Sequence, residues 1–324
     1  MAKLDFILPD GDFAHQLQTV IQPALAALEE KLPLTLPDGA RLATRVYPTP
    51  NARAVVCVCH GFSEFAEKYQ EIIYNLICAG YAVVICDHRG HGHSTRLVPN
   101  LCKIHIDSFD TYVTDFDCMV QYAAQRFPAL PMLLFGHSMG GCISALYLQD
   151  HPERFVGAVL SSPMMELNSG VAPTYGWLYA RHLVKSGHAT DYIRPEAGDF
   201  DGIRRFEGSS CADKGRFDAW FDKRLAEPRY QTNNATAGWL MNGLQAQSRA
   251  VLRANKVKTP VLLCQAGQDH LVLPGGHEKF VKRARNARIA RFAAARHEIF
   301  NSGESIRRAY WDEVLDFYEK ALNS

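Results

Sequence analysis

Short runs of apolar, β-branched residues recur along the chain, and longer stretches with helical periodicity separate most of them. Most runs are continuous rather than alternating, as expected for strands buried on both faces of a sheet. The candidate strands are 54–59, 82–87, 132–135, 157–161, 261–265 and 288–292. The candidate helices are 69–79, 109–125, 139–149, 276–285 and 306–321. This order predicts an α/β fold with a mostly parallel central sheet flanked by helices.

The alternation stops after Pro163 and resumes at Thr259. The segment between them is polar, aromatic and basic, and it is far too long for a loop between two strands of one sheet. We therefore expect an inserted, mainly helical cap subdomain over residues 164–256, between core segments 1–163 and 257–324. Residues 13–32 have near-helical spacing of apolar side chains, which predicts a helix packed on the core. A membrane-surface helix is less favoured, because this stretch lacks a basic face.

The composition excludes several classes of protein. With 47% hydrophobic residues among 324, the chain is too apolar to be disordered. A formal net charge of +1 gives no electrostatic basis for nucleic-acid binding. No run approaches the roughly 18 apolar residues of a membrane-spanning helix, and Asp5, Pro9 and Asp10 interrupt any secretory signal. The nine cysteines, mostly in apolar runs, are expected to be reduced core thiols, which predicts a cytoplasmic location.

The sequence Gly136-His-Ser138-Met-Gly140 lies between a candidate strand and a candidate helix. That context is the one in which G-x-S-x-G forms a nucleophile elbow, a tight turn that lifts the serine above the sheet. The flanking glycines, Gly136 and Gly140, are expected because so tight a turn leaves no room for a Cβ. Ser138 is therefore the candidate nucleophile. The alternative is a serine that caps a helix after a glycine turn.

A serine hydroxyl needs an adjacent base, and the base needs a group that orients it. In this fold class the chain order is serine, acid, histidine. Asp269 follows one late candidate strand and His297 follows the next, so both lie at the carboxyl edge of the sheet. We predict that Asp269 orients His297, which acts as the base. His270 and His277 are competitors, but they lie beside the acid rather than on a separate loop.

The oxyanion formed during attack on a carbonyl needs two preorganised donors. The first candidate is the backbone N–H of Met139, the residue after the nucleophile. The second is the backbone N–H of Phe62, in the loop after the first candidate strand, where Gly61 allows close approach. The alternative for that loop is an ordinary turn at the end of a strand.

Three histidines, His88, His91 and His93, lie close together in a glycine-rich loop. No carboxylate or cysteine accompanies them at regular ligand spacing, so a metal site is not favoured. We expect a hydrogen-bonded loop packed beside the elbow, with no metal and no cofactor.

Together these motifs resemble the α/β-hydrolase superfamily, and most of all its monoacylglycerol lipase and bacterial lysophospholipase branch. The matching segments are His60-Gly-Phe-Ser-Glu64, Asp87-His-Arg-Gly-His-Gly-His-Ser94, Gly136-His-Ser-Met-Gly-Gly141, Gln265-Ala-Gly-Gln-Asp269 and His297-Glu298. The resemblance implies a cofactor-free serine hydrolase with a cap over Ser138. It also implies an acyl-ester substrate with one fatty chain, whose headgroup the cap selects.

The inserted segment contains residues suited to both ends of such a lipid. The apolar candidates for lining an acyl slot, some of which we expect to form the cap's own core, are Met164, Met165, Leu167, Trp177, Leu178, Trp239, Leu240 and Met241. The basic residues that could meet a lipid phosphate or an anionic membrane are Arg204, Arg205, Arg216, Arg224 and Arg229, with a second run from Lys279 to Arg291. Solvated surface is the default interpretation of such charges.

We therefore predict a serine carboxylester hydrolase that releases a fatty acid from a lysophospholipid or monoacylglycerol through an acyl-enzyme on Ser138. Alternatives on the same residues are acyl transfer to an alcohol and hydrolysis of short esters or peptides. Noncatalytic lipid binding is a further alternative, disfavoured because every expected site residue is present. The expected partner is a small lipid ester, without nucleic acid or an obligate protein partner. Peripheral contact with the inner face of a membrane stays open.

Overall fold

The computed structural model describes residues 4–194, 196 and 198–324. Its main sheet has 8 strands in the order β1-β2-β4-β3-β6-β7-β9-β10. These strands are β1 Glu30–Thr35, β2 Arg41–Tyr47, β3 Ala54–Cys59, β4 Tyr81–Cys86, β6 Met132–His137, β7 Gly157–Ser161, β9 Val261–Ala266 and β10 Ala287–Phe292. A separate pair joins β5 Lys103–Ile104 to β8 Asn234–Ala235 in parallel. All neighbours in the main sheet are parallel except β1–β2 and β2–β4, which confirms the predicted α/β fold.

Helices cover both faces of this sheet. They are α1 Phe13–Gln16, α2 Gln22–Ala26, α3 Gln70–Cys78, α4 Phe109–Arg126, α5 Met139–Asp150, α6 Pro173–Lys185, α7 Lys214–Ala226, α8 Ala237–Leu252, α9 Pro274–Arg283 and α10 Glu304–Leu322. In β3, Val55 and Cys57 pack into the apolar core on one face, with side chains of α4, α5 and α8. Val56 and Val58 pack into the core on the other face, with side chains of α3 and α10. Burial on both faces explains why these strands are continuous apolar runs.

The predicted N-terminal helix is wrong over its last residues, 27–32. A helical stretch, α1 and α2 joined by a π-helical turn, ends at Ala26, and the edge strand β1 begins at Glu30. Pro33 suits an edge position, because a proline has no N–H to donate to a further strand. The helical part buries Phe13, Leu17, Ile21 and Leu25 in the core, as its apolar spacing indicated.

The two-residue strands β5 and β8 were not predicted, and neither were two strands of the main sheet, β1 and β2. Both lie at the antiparallel end of the sheet, and polar side chains such as Thr44 and Arg45 interrupt the apolar residues of β2. The remaining predicted strands and helices overlap the observed ones, with most boundaries within two residues.

The inserted segment joins β7 to β9, which are direct neighbours in the sheet. It contains α6, α7 and α8, and β8 ties it to β5 of the core. Trp239, Ala246 and Ala250 of α8 belong to the main apolar core. This helix of the inserted segment therefore packs against α4 and α5, the helices that cover one face of the sheet. The division at residues 163 and 256 stays a prediction.

In the described part of the chain, no helix combines the length and the apolar character needed to cross a bilayer. All nine cysteines are free. Those that are buried are Cys57, Cys59, Cys86, Cys142, Cys211 and Cys264.

Candidate active site

Ser138 lies in the sharp turn between β6 and α5. Its φ of 52° is in the region that favours glycine, and a serine rarely adopts it. Backbone hydrogen bonds hold the turn: the Ser138 N–H donates to the Ser161 carbonyl at 3.1 Å, and the Ser138 carbonyl accepts from the Met164 N–H at 2.8 Å. Ser138 is thereby fixed at the N-terminus of α5, with its side chain lining a cavity.

The two glycines of the turn allow backbone segments to meet closely. A Cβ on Gly140 would lie 2.1 Å from the Cys59 carbonyl oxygen and 2.4 Å from that of His60. A Cβ on Gly136 would lie 2.5 Å from Ser144 Oγ. The first contact sets the distance between the serine turn and the loop after β3, which carries the predicted oxyanion donor Phe62.

Asp269 and His297, which follow β9 and β10, form a buried pair. His297 Nδ1 lies 2.6 Å from Asp269 Oδ2, and each side chain is 3% exposed. The other oxygen of Asp269 accepts from the backbone N–H groups of Leu271 at 2.8 Å and Val272 at 3.0 Å. Burial raises the pKa of Asp269, but the hydrogen bond and charge of His297 and the two backbone donors outweigh it and lower that pKa. Asp269 is therefore an ionised carboxylate that fixes the His297 ring.

Gly267 brings the two loops together. A Cβ there would lie 2.3 Å from the Ala293 carbonyl oxygen, and the Gly267 N–H donates to the Phe292 carbonyl at 2.9 Å. On the His297 side, Ser162 Oγ donates to the His297 carbonyl at 2.8 Å. The loop of the acid, the loop of the histidine and the end of β7 are thus joined by hydrogen bonds.

Ser138 and His297 line one cavity of about 360 Å³. Among the residues that the structure describes, no hydrogen bond joins Ser138 Oγ to His297. Because Nδ1 is bonded to Asp269, Nε2 is the nitrogen left to meet the serine. The ring of His137 lies 4.9 Å from that of His297, and burial lowers the pKa of His137 to about 4, so the neighbouring ring is neutral.

The competing histidines are placed differently. His270 is exposed. His277 is buried at the start of α9, where its Nε2 bonds the Pro163 carbonyl at 2.8 Å and its Nδ1 lies 3.3 Å from Gln265 Nε2. Neither ring lines the cavity that contains Ser138.

The two predicted oxyanion donors lie on the two backbone segments that meet at Gly140. Within the described ranges, neither the Phe62 N–H nor the Met139 N–H has a hydrogen-bond acceptor. Phe62 lines the cavity. The residue before it, Gly61, is held in place because its N–H donates to Glu64 Oε2 at 2.7 Å. Free N–H groups on fixed loops suit the stabilisation of developing negative charge.

The histidine-rich loop packs on the same region through neutral rings. The His88 N–H donates to His60 Nε2 at 2.9 Å, and His88 Nε2 lies 3.0 Å from the His60 carbonyl. His91 Nδ1 lies 3.2 Å from the Arg89 carbonyl. Burial lowers the pKa of both His60 and His91 to about 3. No cluster suited to hold a metal ion occurs in residues 4–194, 196 and 198–324.

A buried charged cluster beside Ser138 was not predicted. Lys68 Nζ lies 2.6 Å from Glu64 Oε1 and 2.7 Å from Glu298 Oε1, and all three side chains line the cavity. Burial raises the pKa of Glu64, but the charge of Lys68 and the hydrogen bonds from Lys68 and Tyr69 outweigh it and lower that pKa. The four-residue spacing of Glu64 and Lys68 was a weak indication in the sequence that these two side chains could pair. Nothing in the sequence indicated that Glu298, which lies 230 residues from Lys68, would join them.

Only part of the expected apolar lining reaches the cavity. Met164, Leu167 and Trp239 line it, Met165 is in the core, Trp177 lines a separate groove and Leu178 is exposed. The apolar and aromatic lining residues not singled out for this role are Phe62, Trp220, Ala235, Leu271 and Val272. The lining of the cavity is therefore partly apolar, and Lys68, Glu64 and Glu298 add a charged part.

Comparison with known proteins agrees with this architecture. The family described as serine aminopeptidase, S33, matches residues 50–304. Lysophospholipase L2 of Escherichia coli strain K12 is 28% identical over 278 residues, covering 82% of this chain and 80% of that protein. A monoacylglycerol lipase of Mycolicibacterium smegmatis is 29% identical over 269 residues, covering 82% of this chain and 89% of that protein.

Among solved structures, a soluble variant of the Saccharomyces cerevisiae monoglyceride lipase in complex with a substrate analogue has a TM-score of 0.73 at 21% identity. The match covers 91% of this chain and 96% of that one. At this identity the likeness shows the α/β-hydrolase fold, and the family match confirms the resemblance drawn from the motifs. The chain therefore belongs to the serine aminopeptidase S33 family of α/β-hydrolases and is a serine hydrolase.

Proposed function

We propose that this protein is a carboxylester hydrolase that releases a fatty acid from a single-chain lipid ester, a lysophospholipid or a monoacylglycerol. The observation that carries the proposal is that Ser138 and the Asp269-oriented His297 line one cavity whose lining is partly apolar. An acyl chain requires such a lining, with a few polar groups to fix its orientation. The names of the related lysophospholipase and monoacylglycerol lipase favour this substrate class over short esters.

In the proposed reaction, Ser138 Oγ attacks the ester carbonyl carbon while His297 Nε2 takes the hydroxyl proton. The backbone N–H groups of Phe62 and Met139 stabilise the oxyanion of the tetrahedral intermediate. The intermediate collapses as the carbon–oxygen bond to the headgroup breaks, and His297 gives its proton to the departing alcohol oxygen. An acyl group then remains on Ser138.

Water completes the cycle. His297 takes a proton from the water molecule, whose oxygen attacks the acyl carbon, and the bond to Ser138 Oγ breaks with return of that proton to the serine. The products are a fatty acid and a glycerol-containing alcohol. Asp269 stays ionised throughout and stabilises the transient imidazolium of His297.

The proposal extends to transient contact with the inner face of a membrane, where such substrates are found. Exposed apolar side chains cluster on and just before α6 in the inserted segment: Val171, Tyr175, Leu178 and Tyr179. A face of this kind suits shallow insertion among lipid headgroups. Co-sedimentation with phosphatidylglycerol-containing vesicles should weaken in Tyr175→Ser/Leu178→Ser, and equal sedimentation of variant and wild type would contradict the contact.

The central experiment combines active-site labelling with a substrate panel. A fluorophosphonate probe should label the wild type but not Ser138→Ala, whose turnover we expect to fall by roughly 10⁴–10⁶ without loss of fold. The panel comprises lysophosphatidylcholine, monoacylglycerol, p-nitrophenyl butyrate and an aminoacyl p-nitroanilide. Faster hydrolysis of the two lipids supports the proposal. Preference for the anilide or the butyrate would overturn it in favour of a peptidase or a short-ester esterase.

Acyl transfer is distinguished by product analysis. With glycerol added as acceptor, a hydrolase should release free fatty acid as its main product. A main product in which the acyl group has moved to glycerol would contradict the assignment of water as the acceptor. Absence of probe labelling and of turnover in the folded wild type would indicate a noncatalytic lipid-binding protein.

A further inference from the structure

The buried arginines of this protein are paired with carboxylates in every described case but one. Five arginines are buried: Arg45, Arg89, Arg216, Arg224 and Arg307. Four of them have a carboxylate oxygen within 3.3 Å. Arg224, on α7, has no carboxylate within salt-bridge distance among the described residues. Because burying an unpaired charge is unfavourable, such a group calls for an explanation.

Arg224 is held in place by neutral groups. Its Nε donates to the Tyr230 carbonyl at 3.2 Å and its Nη2 to the Thr232 carbonyl at 2.8 Å. Its Cζ lies 4.3 Å from the centroid of the Phe200 ring and 5.4 Å from that of Trp220. These contacts fix the plane of the guanidinium but leave its charge without a counterion, and within the described part of the chain Nη1 has no acceptor. A planar guanidinium held in this way is preorganised to bind an anion.

The position of Arg224 connects it with the reaction. It lines the same cavity as Ser138 and His297, together with Trp220. Lys68 Nζ lies 4.6 Å from the Trp220 ring, so Lys68 and Arg224 both contact this one indole. Lys68 is already neutralised by Glu64 and Glu298. Among the described residues that line the cavity, Arg224 is thus the cation that lacks a carboxylate partner.

Burial lowers the pKa of Arg224 to about 10, so the guanidinium stays protonated at neutral pH. Three other arginines of the inserted segment do not offer the same opportunity, because each is paired with a carboxylate. Arg204 pairs with Asp218 and Asp222, and Arg205 pairs with Asp201. Arg216 is bound by Glu71 and Asp213.

We propose that Arg224 binds the phosphate of a lysophospholipid headgroup, so that the enzyme prefers phosphodiester-containing lipids over monoacylglycerols. This inference rests on the proposed function, because it assigns the headgroup of the same substrate. The acyl chain lies against the apolar lining, the ester carbonyl lies at Ser138, and the phosphate oxygens accept hydrogen bonds from the guanidinium. A neutral glycerol headgroup would leave that charge unpaired.

The first test compares Arg224→Gln with wild type on lysophosphatidylcholine and on a monoacylglycerol of the same chain length. We expect kcat/KM for the phospholipid to fall about 10- to 100-fold, the cost of losing a charge-assisted contact. The value for monoacylglycerol should change less than about 3-fold, because no contact is lost. Arg224→Lys, which keeps the charge, should retain more of the preference. An equal fall for both lipids would show a structural role and overturn the proposal.

Arg205→Gln is the matched control, because Arg205 lies in the same segment but is exposed and paired with Asp201. It should behave as wild type on both lipids. Thermal melting and the rate of fluorophosphonate labelling at Ser138 establish that each variant is folded. If Arg224→Gln is unfolded, Arg224→Lys carries the comparison.

The second test uses inhibition of p-nitrophenyl ester hydrolysis, which needs no lipid substrate. Glycerophosphocholine should inhibit the wild type competitively and lose about 10-fold or more in potency in Arg224→Gln, whereas glycerol should inhibit both equally. Inhibition by inorganic phosphate as strong as that by the diester would overturn the headgroup assignment in favour of a free-phosphate site. If wild type hydrolyses the p-nitrophenyl ester but neither lipid, the proposed function fails, while the inhibition series still decides whether Arg224 binds a phosphodiester.

Discussion

The Glu64 carboxylate holds the Gly61 backbone: Glu64 Oε2 accepts from the Gly61 N–H at 2.7 Å. The same oxygen accepts from the Tyr69 hydroxyl at 2.6 Å, and Oε1 accepts from Lys68 Nζ at 2.6 Å. Both oxygens of a buried carboxylate thus face donors. Since Gly61 precedes the proposed oxyanion donor Phe62, we propose that Glu64 is a positioning residue for that N–H.

Glu64→Gln should therefore lower kcat about 10- to 100-fold while KM changes less than about 3-fold. The amide NH₂ must face either Lys68 or Gly61, both donors, so one hydrogen bond is replaced by an unfavourable contact. Steady-state kinetics on a p-nitrophenyl ester measure kcat and KM separately. Glu67→Gln is the control, because Glu67 pairs with Arg45 of β2, and no hydrogen bond joins it to the Gly61 loop in the described part of the chain. A change in KM alone would contradict the positioning role.

Asp269→Asn should reduce kcat by about 10⁴, by analogy with removal of the orienting acid in other serine hydrolases. The asparagine oxygen can still accept from the Leu271 and Val272 N–H groups, so the loop should keep its shape. What changes is the group that faces His297 Nδ1, which favours the wrong tautomer. Exposed Asp312 on α10 provides the control, Asp312→Asn. Activity within a factor of about 10 of wild type would rule out this role for Asp269.

Acid should destabilise the protein through its buried neutral histidines. Burial lowers the pKa of His60 and His91 to about 3 and of His137 to about 4, from 6.5. As the pH falls below 6.5, the unfolded chain binds protons that the folded protein does not, so the free energy of unfolding decreases. We expect a loss on the order of 1 kcal/mol per histidine for each pH unit until the folded pKa is reached.

Calorimetric melting between about pH 7.5 and pH 4.5 measures this dependence. His91→Gln should melt with a shallower pH dependence than wild type, whereas His15→Gln, at an exposed position, should not. Identical slopes for wild type and His91→Gln would show that His91 does not contribute.

Gly140→Ala should abolish labelling of Ser138 and destabilise the fold by about 1–3 kcal/mol. The added Cβ would lie 2.1 Å from the Cys59 carbonyl oxygen, so the serine turn and the loop after β3 must separate. Gly176→Ala on α6 is the control, because the new Cβ makes an ordinary 3.5 Å contact with Leu244 of α8, and labelling should persist. Normal labelling of Gly140→Ala would mean that this close approach is not required.

The sheet and the Ser138 turn could be predicted because their determinants are local. A strand buried on both faces is a continuous apolar run, and a strand–Gly-x-Ser-x-Gly–helix sequence defines its own turn. Strand ends placed Asp269 and His297 at one edge of the sheet, where the structure joins them. The edge strand β1 and its neighbour β2 were missed because polar residues interrupt the apolar residues of both strands.

The charged part of the cavity could not be predicted in the same way. Lys68 and Glu298 are 230 residues apart, and only the assembled fold brings them together. Arg224 looked like its basic neighbours in the sequence. What distinguishes it is the absence of an acidic partner among the described residues, and that depends on the packing of α7 against the loop that contains Tyr230 and Thr232.

The backbone at Ser138 carries a thermodynamic cost for the whole protein. A serine with φ 52° and ψ −118° is strained, and conformations of this kind cost on the order of 1–3 kcal/mol. Glycine would adopt the same angles with less strain, so Ser138→Gly should melt at a higher temperature than wild type while having no nucleophile. At this position reactivity and thermal stability oppose each other, and the enzyme gives up part of its resistance to unfolding in order to present a hydroxyl group.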